Sequence, residues 1–171
     1  EGIEILFILI KMKKKIKSNL KFAFIGCGLI GNKRANTISK NSIIGCYDTD
    51  TKKSKIFAKK FICKSYKNFN KLIKDSDVVI ICTPHKYLDK FTLISIKFGK
   101  HVFVEKPGAI SLNSLKKLIN NTRHLDNKLK IQVGYNHRFH PPIIQAIKMV
   151  KQKTLGDIMY VRSRYGHGGR K

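Results

Sequence analysis

Acidic residues are scarce in this chain: ten Asp and Glu stand against 36 Lys and Arg, a formal net charge of +26 over 171 residues. Such an imbalance suits a nucleic-acid binder. Yet arginine, the residue that grips phosphates and guanine edges bidentately, is itself scarce. The lysines are spread along the chain with many Ile and Asn, as a compositional bias; only KMKKKIK (residues 11–17) is a cluster. A solvated basic surface is expected, with no nucleic-acid partner. Long apolar runs are also missing. IEILFILI (residues 3–10) is too short to span a bilayer, which needs about 20 residues. With no basic region before it and no small-residue cleavage site after it, it is a poor signal peptide. Residues 1–19 are expected to be an extension, with Met12 as the native start. The four cysteines, Cys27, Cys46, Cys63 and Cys82, make no C-x-x-C pair and no zinc spacing. Three of them fall in strand-like or tight-turn segments, where they are expected as small buried apolar groups, and a reducing, cytoplasmic setting is expected. Repeats of 20–50 residues are absent, which excludes solenoids and propellers.

What is present is an alternation of strand and helix signals within a 42% apolar composition. Apolar runs at 21–26, 42–48, 77–83, 101–105 and 130–136 read as strands. Helical spacing occupies 29–39, 51–61, 68–74, 86–99 and 112–125, the last with Ser111 as N-cap. Near-continuous apolar strands separated by helices predict a doubly wound parallel sheet covered on both faces, an α/β fold. Residues 20–136 form that domain. After them the pattern changes: PPIIQAIKMVKQ (141–152) reads as a helix and DIMYVRSRY (157–165) as an alternating strand. Residues 137–171 are expected to begin an α+β domain with an antiparallel sheet, truncated at Lys171. Phe22, Phe24, Phe103 and Phe139 are assigned to the core.

The segment GCGLIG places Gly26, Gly28 and Gly31 in G-x-G-x-x-G spacing, after a strand and opening a helix. The first glycine permits a tight turn, the second lets backbone approach a pyrophosphate, and the third brings helix and strand close. The helix N-terminus adds free N–H groups for phosphates. Asp48 ends the second strand 20 residues after Gly28, where an acid meets a ribose 2′-hydroxyl. These features predict a dinucleotide-binding, Rossmann-type domain. The Asp48 carboxylate, seconded by Asp50, favours NAD over NADP, although Lys52 and Lys53 lie close enough to meet a 2′-phosphate.

With GCGLIG, CTPHKYL, VEKP and GYNHRFHP in that order, residues 20–171 resemble the Gfo/Idh/MocA oxidoreductases, the family of glucose–fructose oxidoreductase and inositol dehydrogenase. The resemblance implies a longer whole protein, with a C-terminal antiparallel sheet used for homo-oligomer formation. It also implies hydride transfer between nicotinamide and a hydroxyl of a sugar, cyclitol or sugar derivative. Carried over, Gly26, Gly28, Leu29, Ile30 and Gly31 hold the pyrophosphate and Asp48 the adenosine ribose. Thr83 and Pro84 lie along the adenosine side. Glu105 and Lys106 meet the nicotinamide ribose, and Lys106 also reaches the substrate hydroxyl as the catalytic lysine, its charge offset by Glu105. Tyr135, Asn136 and Arg138 border nicotinamide and substrate, and the Lys106–Pro107 bond is cis. Two departures stand out. The family's Asn-x-x-His after Thr-Pro is here His85 and Leu88. The family's Asp-x-x-x-His acid/base pair is absent, since Asp157 is followed four residues on by Val161. That pair is expected beyond residue 171, so this chain alone is expected to bind cofactor with little turnover.

Two further patterns stay open. His137 and His140, three apart, suggest a metal only if other ligands join them, and no metal is expected. YGHGGR (165–170) is either a flexible turn or a loop whose His167 contacts an anionic or nucleotide-linked sugar. Beside the enzyme, the alternative function is a non-catalytic dinucleotide-binding module.

Overall fold

The computed structural model describes residues 20–122, 129–164 and 166. Six strands carry the fold: β1 (Phe22–Ile25), β2 (Ile43–Tyr47), β3 (Lys64–Ser65), β4 (Val78–Ile81), β5 (His101–Glu105) and β6 (Ile131–Gly134). Between them run α1 (Leu29–Ala35), α2 (Thr51–Phe61), α3 (Phe69–Asp75), α4 (Leu88–Lys97) and α5 (Leu112–Thr122). The sheet order is β3-β2-β1-β4-β5-β6, and every pairing is parallel. The predicted Rossmann-type parallel sheet is therefore present. Its chain order reverses between β1 and β4, the crevice where open α/β sheets take ligands.

Alternation along each strand explains why the runs were apolar throughout. Phe22, Phe24, Val78, Ile80 and Phe103 enter one core with Phe57 and Phe61 of α2. Ala23, Ile25, Val79, Ile81, Val102 and Val104 enter the other, with residues of α3 and α4 such as Leu72 and Leu88. Successive strand residues point to opposite faces, so a sheet covered on both sides needs apolar residues at every position.

The helices begin where the sequence offers caps. The Asp50 side chain accepts from the backbone N–H groups of Lys52 and Lys53 at the start of α2, and Asn68 does the same for α3. Ser111 accepts from Ser114 N–H at the head of α5, as expected. The helix predicted over 86–99 divides into a 3-10 turn, His85–Tyr87, and α4.

The chain divides between Tyr135 and Asn136. The second unit holds a 3-10 turn (Asn136–Phe139) and helix α6 (Pro141–Lys151), which opens on its two prolines. Here one expectation fails. Among the described residues 157–164 no strand forms, and no antiparallel sheet is present; Met159 is 91% exposed. A strand needs a neighbour to take its backbone hydrogen bonds, and none of the described residues offers one. Phe139 is only half-buried, outside both cores. The extension at 1–19, with Met12, lies outside the described residues, as does His167. Among the described residues no helix is long and apolar enough to cross a membrane.

Candidate functional site at the carboxyl edge of the sheet

Five strands deliver the candidate residues to one edge: the glycine loop follows β1, Asp48 follows β2 and Thr83–Pro84 follow β4. Glu105–Lys106 end β5, and Tyr135 follows β6. Because all the strands are parallel, residues at their carboxyl ends converge whatever their separation in sequence.

The loop is held from three sides. Gly26 has φ +100°, and a Cβ there would come within 2.5 Å of the Cys82 carbonyl oxygen, so only glycine fits. A Cβ on Gly31 would collide with the Gly26 carbonyl, the close approach of helix to strand that the motif predicts. Gly28 differs. A Cβ there meets nothing within 4 Å, so the protein's own packing does not demand glycine at that position. The Asn32 side-chain amide donates to the carbonyls of Cys27 and Gly28, at 3.0 Å each, bracing the loop from the first helix. No side chain caps α1 and no acid lies in its first turn. Leu29 and Ile30 are exposed.

Asp48 acts on the loop as well as on its surroundings. Its Oδ2 accepts from Cys27 N–H at 2.8 Å and its Oδ1 from Asp50 N–H at 2.9 Å. Each carboxylate oxygen thus keeps a further lone pair for an outside donor. The Asp50 carboxyl is held below the usual carboxylate range, first by the Lys53 backbone N–H and then by that of Lys52. Lys53 also pairs with Asp50, its Nζ 3.6 Å from Oδ2.

At the end of β4 the Thr83 hydroxyl oxygen is buried and has no hydrogen-bond partner among the described residues. Leaving such a group unpaired costs about 1–3 kcal/mol, so it is a place where an outside group can bond. Leu88, at the position where the resembled family has histidine, is fully buried in the core, and His85 is exposed on its 3-10 turn. Leu88 therefore belongs to the packing of α4.

The E-K-P turn departs from expectation in its charges. Glu105 does not pair with Lys106. Its Oε1 receives the Arg34 guanidinium, with Nε and Nη2 both at 2.6 Å and side chains 8% and 13% exposed. The guanidinium also lies over the Phe103 ring, 5.2 Å from its centre. Glu105 shares a face with Phe103, two residues back, and that face meets α1. Lys106 is exposed and forms no ion pair among the described residues. The Lys106–Pro107 peptide is cis, as the resemblance implies, and Gly108 N–H closes the turn on the Glu105 carbonyl. Tyr135 reaches the same turn, its hydroxyl donating to the Pro107 carbonyl at 3.2 Å. Asn136 and Arg138 stand on the 3-10 turn of the second unit, where the Arg138 guanidinium lies over Phe139. In that unit the His137 and His140 rings stack at 4.7 Å.

Arg34 and Asn32 were not anticipated. A lone arginine in the first helix of a lysine-rich chain was the available signal for one. The thiols are a second surprise: the fold gathers Cys27, Cys46 and Cys63 beside one another. The Cys46 thiol donates to the Ser54 carbonyl at 3.3 Å and the Cys27 thiol to the Tyr47 carbonyl at 3.6 Å. The neighbouring Cys27 thiol, with burial, raises Cys46 to about 12, and the neighbouring Cys46 thiol, with burial, pushes Cys63 up as well. Burial does the same for Cys82. All four cysteines are free, and no group of three or more metal-ligating side chains forms among the described residues.

Comparison with known proteins agrees with this geometry. Residues 20–135 match the family described as an oxidoreductase family with an NAD-binding Rossmann fold. The chain is 30% identical over 88 residues to D-glucoside 3-dehydrogenase of Escherichia coli K12, covering 52% of this chain and 24% of that one. It is 25% identical over 146 residues to inositol 2-dehydrogenase of Rhizobium meliloti 1021, covering 83% and 44%. The structure of scyllo-inositol dehydrogenase from Lactobacillus casei with NAD(H) and scyllo-inositol superposes with a TM-score of 0.75. Its identity is 22%, over 82% of this chain and 43% of that one, and it supports the fold alone. The matches span less than half the length of these relatives.

Proposed function

The chain belongs to the Gfo/Idh/MocA oxidoreductase family, and on that premise we propose that it is the nucleotide-binding half of a dehydrogenase that takes NAD in preference to NADP. Its substrate is a hydroxyl of a sugar, cyclitol or sugar derivative. The observation that carries this reading is the convergence of Gly26–Gly31, Asp48, Thr83 and Glu105–Lys106 on one sheet edge.

The residues present fit a dinucleotide. Gly28 leaves open space over a loop whose shape Gly26, Gly31 and Asn32 maintain, and a pyrophosphate takes that space against backbone N–H groups. Asp48 accepts from the adenosine ribose hydroxyls with the lone pairs its backbone bonds leave free. The buried Thr83 hydroxyl gains the partner it lacks, and Pro84 borders the same side. When bound, the nicotinamide supplies the hydride acceptor.

Beside it, Glu105 accepts from the second ribose with its orientation set by Arg34, and Lys106 donates to the reacting oxygen as negative charge develops there. Because Arg34 neutralises Glu105, Lys106 keeps its own positive charge for that oxygen. Tyr135, Asn136, Arg138 and His167 are the substrate-side residues. No Asp-x-x-x-His occurs in the 171 residues, so these residues by themselves bind cofactor with little turnover. The second reading, a non-catalytic dinucleotide-binding module, rests on that same missing pair. Of the remaining attributes, homo-oligomeric assembly follows from the resemblance and a cytoplasmic setting from the cysteine pattern.

Titration with NADH and NADPH, followed by cofactor fluorescence, tests this. Two like charges about 4 Å apart near a protein surface repel by about 4 kcal/mol before salt screening. A tenfold preference needs only about 1.4 kcal/mol. We expect NADH to bind at least tenfold tighter than NADPH, and Asp48→Ala to reduce that ratio severalfold. Absent or equal binding of the two cofactors overturns the assignment. Turnover of inositols or glucosides by the chain alone overturns the module reading.

A further inference from the structure

One side chain of α1 holds two peptide groups of the glycine loop at once. The Asn32 amide nitrogen donates to the Cys27 carbonyl and to the Gly28 carbonyl, each at 3.0 Å. A side-chain NH2 has two hydrogens, so each oxygen receives one. The Gly28 carbonyl also accepts from the Asn32 backbone N–H at 3.0 Å. On the other side of the amide, Lys60 Nζ of α2 donates to Asn32 Oδ1 at 3.2 Å. An ammonium only donates and a carbonyl only accepts, so these neighbours permit one orientation of the amide and forbid the flipped one. Asn32 is half-buried and Lys60 exposed.

The effect on the loop follows from the planarity of the peptide group. Among the described residues the cis peptide is Lys106–Pro107, so the loop's peptides are trans. In a trans peptide the N–H points opposite to the C=O. Turning the Cys27 and Gly28 carbonyls toward Asn32 therefore turns the Gly28 and Leu29 N–H groups away from it. Neither donates to any described residue, and a Cβ on Gly28 would meet nothing within 4 Å. The adjoining Cys27 N–H is already engaged by Asp48 at 2.8 Å.

We propose that Asn32 is a positioning residue for the cofactor's pyrophosphate, aiming the Gly28 and Leu29 N–H groups at its oxygens, and that Lys60 holds Asn32 in that orientation. The inference rests on the dinucleotide reading above and adds which donors meet the phosphates and what fixes them. Donors set in place before the anion arrives need no reordering on binding. Cys27 lies between two glycines, whose backbone is permissive. Without the clamp the Cys27–Gly28 peptide is free to rotate and present its carbonyl, the negative end of its dipole, to the phosphate.

The test compares ADP-ribose, which carries the pyrophosphate, with adenosine, which lacks it. Both are titrated into the full chain and followed by amide NMR, with NADH followed by fluorescence. In the wild type the Gly28 and Leu29 amide protons should move downfield, saturably, with ADP-ribose and stay in place with adenosine. Asn32→Leu keeps the size and removes the amide. It should weaken NADH and ADP-ribose by about tenfold while adenosine stays within about twofold. Lys60→Met loosens the amide without removing it and should weaken the same two ligands by about twofold. The proposal is overturned by unshifted Gly28 and Leu29 amides in the wild type bound to ADP-ribose. It is equally overturned if Asn32→Leu leaves ADP-ribose affinity unchanged, or weakens adenosine as much as ADP-ribose, as a merely structural role would. A wild type that binds none of the three ligands overturns the dinucleotide reading and this inference with it. The wild-type amides decide the matter even if Asn32→Leu fails to fold.

Discussion

Helices α2 and α5 are each eleven residues long and each covers a flank of the same sheet, yet they are built differently. Helix α2 buries Ser54, Phe57 and Phe61, whereas α5 has no buried residue. In α2 the Phe57 ring packs 5.3 Å from Phe24 and 4.5 Å from Phe61, centre to centre, and Asp50 caps the first turn. In α5, Leu115 and Ile119 line an open, mostly aliphatic groove beside the E-K-P turn, with no aromatic ring in its lining. The sheet is thus close-packed beneath the nucleotide loop and loosely packed behind the E-K-P turn. Rigidity is concentrated at the glycine loop, where the proposed function seats a pyrophosphate, and slack remains beside the turn that carries Lys106.

The sharpest way to break this contrast is to truncate one residue on each side. Phe57→Ala removes a fully buried ring and should cost about 3–5 kcal/mol. Ile119→Ala, half-exposed at the groove, should cost less than about 1 kcal/mol. Urea denaturation of the two variants measures both, and similar losses would mean that α5 is packed as tightly as α2.

A smaller effect is expected at the pair that ties the two halves together. Arg34→Met leaves the Glu105 carboxylate buried without its partner, at a cost of about 3 kcal/mol. Adding Glu105→Gln should return most of it. A loss in the single variant that the second change does not relieve would show that the guanidinium stacks on Phe103 more than it pairs.

The smallest effect is a dependence on pH at the start of β5. His101 Nδ1 accepts from Lys130 N–H at 3.1 Å. Burial, against the opposing pull of Asp77, lowers its pKa from 6.5. The folded state therefore favours the neutral ring, and the unfolded state binds more protons in the window between the folded pKa and 6.5. This contribution is complete above 6.5 and is lost as pH falls through the folded value. Urea midpoints from about pH 7.5 to about pH 5 should drop, and His101→Asn should flatten the slope. An unchanged slope in that variant would assign the acid sensitivity elsewhere.

How far the sequence revealed this molecule depends on whether a feature is local. Helix α2 and strand β5 occupy the predicted 51–61 and 101–105, because their periodicity and caps lie within the segments themselves. Strand β3 was missed: two polar residues, Lys64 and Ser65, have no period to read, and pairing with β2 makes them a strand. The strand expected at 157–165 shows the converse, a good pattern with no neighbour among the described residues to complete it. At the site, Gly26, Gly31 and Asp48 were legible because the motif encodes the turn. The Arg34–Glu105 pair was not, since 71 residues separate its members and only the closed sheet brings them together. The closeness of Cys46 to Cys27 and Cys63 likewise appears only once helices and strands are stacked.

The seat of Gly26 has a consequence for the order in which the molecule is made. The loop's first turn rests against the Cys82 carbonyl and the Thr83 backbone nitrogen, on the strand that follows three helices later. Strand β1 takes its second neighbour from that same segment, where Cys82 N–H donates to the Ile25 carbonyl at 2.8 Å. During synthesis the glycine loop is therefore complete in sequence well before the residues that shape it have been made. The loop gains the surface that shapes it only once residue 83 has been made and β4 has docked beside β1.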